Sequence, residues 1–202
     1  MEKSAMTING ESIEQRGMVI WLTGLSGAGK TTLARLLSSK LRDQGRRVEV
    51  LDGDEVRENL SRGLGFSKQD RQTNVLRIGF VARLLARNGV IVLAAAISPF
   101  RQSRDDARRL AESDGVRFIE VFIRCPIETL VERDVKGLYM RALAGEIKNF
   151  TGISDPYEEP LAPDIVVDSA EEQIEESAAK ILSHIARAGV AMLASSEVRG
   201  AI

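Results

Sequence analysis

The stretch Gly24-Leu-Ser-Gly-Ala-Gly-Lys-Thr31 has the full G-x-x-x-x-G-K-[ST] spacing of a phosphate-binding loop. Its flanks match the context that this loop needs. Met18-Val-Ile-Trp-Leu-Thr23 precedes it as a short apolar run that reads as a buried strand. Thr32-Leu-Ala-Arg-Leu-Leu-Ser-Ser-Lys-Leu41 follows, with Leu33, Leu36, Leu37 and Leu41 at helical spacing. Gly24, Gly27 and Gly29 let the backbone turn tightly and aim its N–H groups inward. The helix N-terminus adds partial positive charge beneath bound phosphates. By this reading Gly24, Leu25, Ser26, Gly27, Ala28, Gly29, Lys30, Thr31 and Thr32 cradle a nucleotide triphosphate. Lys30 reaches the β- and γ-phosphates, and Thr31 ligates Mg²⁺.

The remaining apolar runs extend the pattern outward. Val48-Glu-Val-Leu51, Val90-Ile-Val-Leu-Ala-Ala-Ala96, Arg117-Phe-Ile-Glu-Val-Phe-Ile123 and Asp164-Ile-Val-Val167 read as four more buried strands. Helical patterns separate them. This alternation predicts an α/β, three-layer fold of P-loop NTPase type, with a five-stranded parallel sheet and helices on both faces. One helix is predicted over about 70–88, started by Ser67-Lys-Gln-Asp70. The last is predicted to start at the capping box Ser169-Ala-Glu-Glu172 and to run to about Ala188. The expected organisation is an N-terminal extension over 1–17, a P-loop domain over 18–188 and a C-terminal tail over 189–202.

The composition narrows the setting. The 202 residues suit one large domain, and a net charge of −1 implies no general attraction to nucleic acid or membranes. No apolar run approaches the ~20 residues of a membrane span, and Met1–Gly10 lacks a signal-peptide core. The single cysteine, Cys125, excludes an intramolecular disulfide and a multi-cysteine zinc site, and it fits a reducing cytoplasm. Cys125 precedes Pro126 at a strand end and reads as a small buried residue near the nucleotide.

Residues 133–163 break the pattern. Gly137, Gly145 and Gly152 punctuate them, and Pro156, Pro160 and Pro163 stiffen the exit. A short helix followed by a long loop is expected. Loops of this length in compact domains are lids, binding segments or linkers. The basic residues Arg133, Lys136, Arg141 and Lys148 point to a lid over anionic groups, set at 133–153.

Two further sites read as chemistry. Asp52-Gly53-Asp54 lies at the end of the second strand, where open α/β sheets meet their ligands. Carboxylates there suit Mg²⁺ and a reacting hydroxyl, while Asp54 also reads as the N-cap of a helix starting at Glu55. Ser98-Pro99 ends the third strand. Ser98 reads either as an N-cap, with proline at the first helical position, or as a substrate contact. Arg101, Arg104 and Arg108 share one face of the next helix. Arg101 is the one that reaches the site, and the other two read as a solvated face. His184, beyond every motif, reads as surface or packing.

Taken together, these motifs resemble those of the adenylylsulfate (APS) kinases. The resemblance is carried by the phosphate loop, Leu51-Asp-Gly-Asp54 with Arg57, and Leu64-Gly-Phe-Ser67 with Asp70, Arg71 and Asn74. It continues through Ile97-Ser-Pro99 with Arg101, Lys136-Gly-Leu-Tyr139, and Ala144–Lys148 with Phe150-Thr-Gly-Ile153. It covers about residues 17–187. It implies phosphorylation of the 3′-hydroxyl of adenosine 5′-phosphosulfate (APS) by ATP and Mg²⁺, with Lys30, Asp52, Asp54 and Ser98 in the catalytic centre and Thr31 and Asp52 at the metal. It implies an adenine clamp by Phe66 and Phe150, for which ring stacking is the physical reason. Further acceptor contacts are implied for Asp54, Arg57, Arg71, Asn74, Ile97, Ser98, Lys136, Leu138, Thr151, Gly152 and Ile153. The family position of Ser98 is associated with a phosphoserine intermediate, but in-line transfer needs only positioning and charge stabilisation. A homodimer and a functional partnership with ATP sulfurylase are also implied.

The chain departs from frequent family residues at Thr73, Leu76, Val135, Met140 and Leu143. Those positions bear on substrate affinity and on the charge of the lid. Two alternatives stand beside the main reading: a P-loop kinase of another nucleotide-like acceptor, and a non-catalytic nucleotide-binding module. Intact Lys30, Thr31, Asp52 and Asp54 argue against the second.

Overall fold

Alternation along the first long strand sets the layers. In Met18–Thr23 (β3), Met18, Ile20 and Leu22 join one apolar cluster, while Val19 and Trp21 join another on the opposite face. Both faces are buried, as a central parallel strand requires. The computed structural model describes residues 7–8, 11–12 and 17–197. Thr7–Ile8 (β1) pairs antiparallel with Glu11–Ser12 (β2), and the rest of the predicted extension up to residue 16 lies outside the described residues.

The other strands of the main sheet are Val48–Asp52 (β4), Ile91–Ala95 (β5), Arg117–Arg124 (β6) and Ile165–Asp168 (β7). They pair in parallel in the order β4-β5-β3-β6-β7. This is the predicted five-stranded parallel sheet. Its register brings Leu22 of β3 and Asp52 of β4 level with Ala95 of β5. The carboxyl ends of three strands therefore open onto one crevice.

The connecting helices cover both faces. On one side Leu33, Ala34, Leu37 and Leu41 of Lys30–Asp43 (α1) pack with Ala178, Ile181 and Ile185 of Ile174–Glu197 (α7). On the other, Val75, Ile78 and Ala82 of Lys68–Ala86 (α3) pack with Ala107 and Ala111 of Arg101–Glu112 (α4). Short helices at Gly53–Glu58 (α2), Ile127–Arg133 (α5) and Leu138–Leu143 (α6) lie at the crevice end or in the long 133–163 segment.

Helix starts differ from expectation at three places, the first being α2, which begins at Gly53 rather than Glu55. The Ser169 box does not open α7. Asp168 and Glu172 instead take backbone N–H groups of Ala170 and Asp168, which fixes a turn there. The helix starts five residues later, at Ile174, where Glu176 accepts from the Gln173 N–H, and it continues past Ala188 to Glu197. Ser98 does not cap α4. The N-cap is Phe100, and the Arg101 N–H is taken by the distant Glu158 carboxylate at 2.9 Å. The remainder of the expected tail, 198–202, lies outside the described residues.

Candidate active site

The phosphate loop leaves β3 at Gly24, whose φ of +153° and close packing demand glycine. A Cβ there would lie 2.5 Å from the Ile123 carbonyl oxygen. The loop ends at Gly29, in left-handed conformation, and α1 begins at Lys30. Lys30 is buried, and its ammonium donates to the carbonyls of Gly24 (3.0 Å) and Leu25 (2.6 Å). Burial and then the nearby Lys136 pull its pKa down to about 8, against the opposing pull of Asp54 and Asp52.

Beside the lysine, the Thr31 hydroxyl donates to Asp52 Oδ2 at 2.6 Å. The other oxygen of Asp52 accepts from the Asp54 N–H at 3.0 Å. Asp52, rather than Asp54, is thus the N-cap of α2. This leaves the Asp54 carboxylate exposed, 2.6 Å from Lys136 Nζ across the crevice.

A cavity of about 520 Å³ adjoins the loop. It is lined by Ser26 of the loop, Gly53 and Asp54 after β4, Arg57, Phe66, Arg71, Asn74 and Val75, the 96–99 turn after β5, Lys136 and Leu138, and 147–151. Residues far apart in the chain, and singled out separately from sequence, meet here: Asp54, Arg57, Phe66, Arg71, Asn74, Ile97, Ser98, Lys136, Leu138, Phe150 and Thr151. Phe66 is 57% exposed and flanked by guanidiniums, with Arg57 4.6 Å and Arg71 5.6 Å from its ring centre. Arg71 is buried and donates to Phe66 O, Thr151 Oγ1 (2.6 Å) and Asn149 O, which ties α3 to the far end of the long segment. Burial pulls the pKa values of Arg57 and Arg71 down, the direction that a bound anion reverses. Asn74 Oδ1 is buried without a hydrogen-bond partner, the condition of a group that awaits a ligand.

Other sequence-predicted residues fall elsewhere. Gly152 and Ile153 do not line this cavity but a separate one of about 420 Å³, with Leu25 and Ile127. Gly152 has φ +95°, and a Cβ there would meet Leu25 Cδ2 at 2.9 Å, so its role is backbone shape. Arg141 pairs with Glu146, and Arg133 donates to Ser169 O, so neither lines the cavity. Four of the five family departures, Leu76, Val135, Met140 and Leu143, are exposed, which explains how the chain accommodates them, while Thr73 is half-buried in α3.

Ser98 is held in left-handed backbone conformation (φ +48°), and its hydroxyl accepts from buried Trp21 Nε1 at 3.0 Å. Its carbonyl accepts from Arg104 at 2.6 Å. Contrary to the solvated-face reading, Arg104 is 2% exposed and also bonds Glu120 (2.7 Å) and Glu158 O (2.8 Å). Arg108 is half-buried against Asp164, and Arg101 binds Glu159 O rather than the cavity. The sequence signal for this network was Glu120 itself. A carboxylate in the middle of an otherwise apolar, buried strand requires a buried partner.

The model of the adenylylsulphate kinase family matches residues 16–168. The chain belongs to that family. An adenylyl-sulfate kinase of Rippkaea orientalis is 57% identical over 88% of this chain and 96% of its own length. A probable bifunctional SAT/APS kinase of Sorangium cellulosum is 59% identical over 86% of this chain, which spans only 29% of that longer protein. The solved structure of a Mycobacterium tuberculosis APS kinase in complex with AMPPNP and APS superposes with a TM-score of 0.82. That protein is 44% identical, over 84% of this chain and 98% of its own. No helix among the described residues is long and apolar enough to cross a membrane.

Proposed function

We propose that the chain transfers the γ-phosphoryl group of ATP to the 3′-hydroxyl of APS, giving 3′-phosphoadenosine 5′-phosphosulfate. The observation that carries this is the single cavity in which two aromatic rings and the cations Arg57, Arg71, Lys136 and Lys148 face Ser26 of the phosphate loop. Flat rings suit an adenine and cations suit a phosphosulfate, and the loop beside them supplies the phosphoryl donor.

The roles follow from position. Lys30 and the loop N–H groups stabilise charge that develops on the transferring phosphoryl group. Asp54, exposed at the cavity wall, orients the acceptor hydroxyl and receives its proton as the new P–O bond forms. Asn74 supplies its free Oδ1 to the acceptor's hydroxyl or amino groups. Thr31 and Asp52 bring a hydroxyl and a carboxylate oxygen within 2.6 Å, a donor set that fits Mg²⁺. Among the described residues no cluster of three or more His, Cys, Asp or Glu stands ready for a metal. Thr31 and Asp52 would hold Mg²⁺ through those two oxygens, and the ion would supply charge neutralisation for the nucleotide phosphates. Ser98 acts as a fixed wall, since its hydroxyl is engaged by Trp21. Residues 133–153 act as a lid, with Lys136 released from Asp54 when the acceptor arrives.

A coupled ADP-release assay with and without APS tests the reading. Turnover that depends on APS is expected. Turnover only with other nucleotides would reassign the acceptor, and binding without turnover would make the protein a regulatory module. Phe150→Ala is expected to weaken APS binding by roughly 1–3 kcal/mol while leaving ATP binding alone nearly unchanged. Equal losses for both ligands would remove Phe150 from the acceptor clamp.

Proton linkage offers a check on the donor site. Phosphates beside Lys30 raise its pKa from about 8, so ATP binding near pH 9 takes up a proton, and affinity falls as pH rises through that range. Calorimetry in buffers of different ionisation enthalpy reads the uptake directly. It should vanish in Lys30→Ala, and an uptake that survives there belongs to another group.

The reading extends to setting. The fused Sorangium relative supports a working association with the sulfurylase that makes APS. The buried free thiol of Cys125 suits a reducing cytoplasm. A homodimer is proposed by family resemblance, and light scattering on the purified protein decides it.

A further inference from the structure

Tyr139 is out of keeping with its surroundings. It lies in α6, within the proposed lid, where Val135, Met140 and Leu143 are 79%, 63% and 56% exposed, yet Tyr139 is only 2% exposed. Its hydroxyl donates to the carbonyl of Ser26, inside the phosphate loop, at 2.8 Å. Its ring meets Phe150 edge-on, with centroids 5.0 Å apart and planes at 81°. Its backbone N–H, with that of Met140, is held by the Asp134 carboxylate at 2.9 and 3.0 Å. One side chain thus touches the donor loop at its tip and the acceptor clamp at its ring, and its backbone is fixed within the lid.

We propose that Tyr139 is a positioning residue that couples the two nucleotide sites, so that a nucleotide seated in the phosphate loop strengthens binding of the acceptor under Phe150. The inference rests on the kinase reading above. Its physical basis is the planar trans peptide, in which C=O and the following N–H point in opposite directions. Anchoring the Ser26 carbonyl to Tyr139 therefore fixes the direction of the Gly27 N–H, one of the loop donors. Phosphate bound by that N–H holds the peptide in the orientation that suits Tyr139, and Tyr139 in turn keeps Phe150 in place. The ordering cost of the lid is then met once for both ligands. Burial pushes the tyrosine pKa up to about 12, so the hydroxyl remains a donor throughout the usable pH range.

Such a link must be reciprocal: AMPPNP changes APS affinity by the same factor by which APS changes AMPPNP affinity. The test measures both dissociation constants, each with and without the other ligand, in the parent protein and in Tyr139→Phe. Phenylalanine keeps the ring contact and loses only the hydroxyl. The parent is expected to show positive coupling of about tenfold, and Tyr139→Phe to fall within about twofold of none, with a thermal midpoint close to the parent's. A merely structural tyrosine would shift the midpoint and both single-ligand affinities and leave the coupling factor intact. Coupling retained in Tyr139→Phe, or absent from the parent while both ligands bind, overturns the proposal and leaves the kinase reading standing. Failure of the parent to bind APS at all overturns both.

Discussion

Lys30→Ala should lower kcat for phosphoryl transfer by more than a hundredfold while the protein stays folded. The ammonium is the only cation that α1 presents at the base of the loop, and it is already turned inward, bonded to the Gly24 and Leu25 carbonyls. It needs little reorganisation to meet an anionic phosphate. Preorganised charge of this kind is worth about 3 kcal/mol or more in the transition state, which is upwards of a hundredfold in rate. In the ligand-free protein the same charge is unfavourable, as its pKa of about 8 records. Removing it therefore costs little stability, apart from two carbonyls that lose a donor. A coupled assay and a thermal melt on the same preparation separate the two effects. A well-folded Lys30→Ala protein with near-parental turnover would mean that this loop is not the donor site.

How much of this was legible depended on whether the signal was local. Apolar runs bounded by glycine and polar turns gave the five strands of the main sheet to within one residue, because its central strands are buried on both faces and tolerate little else. The loop was legible because its glycines, lysine and threonine are contiguous. The cavity was legible only through resemblance, since Arg57, Asn74, Lys136 and Phe150 come from separate segments. Where reading failed, a distant partner had displaced a local preference. Ser98-Pro99 has the form of a helix start, but Trp21, 77 residues away, takes the serine hydroxyl, and Glu158 caps α4 in its place. Tyr139 lay within a quoted motif, yet nothing in its spacing says that it reaches Ser26, 113 residues earlier. Arg104 looked like one of two surface arginines, with Arg108, because its partner lies on another element.

That partner makes Arg104 the position where substitution should cost the most stability. Its guanidinium is 2% exposed, and Glu120 opposite is 7% exposed. It spends three nitrogens on Glu120, Ser98 O and Glu158 O. Arg104→Met keeps much of the volume and removes the charge. Glu120 is then left in the interior with only the long 3.9 Å approach of Arg108, and the buried Ser98 carbonyl and half-buried Glu158 carbonyl lose their donor. Breaking one side of a buried pair typically costs about 3–5 kcal/mol. For a chain of this size that lowers the thermal midpoint by roughly 6–20 °C. The double variant Arg104→Met/Glu120→Leu should recover much of the loss, because it removes the stranded carboxylate as well. It should not restore the acceptor site. Without Arg104 the 97–99 turn loses the bond that holds Ser98 in its left-handed conformation, so KM for APS should rise more than KM for ATP in both variants. Urea melts and the two KM values measure these effects. A single variant as stable as the parent would show that the network does not support the fold, and a double variant with parental KM for APS would show that it does not shape the cavity wall.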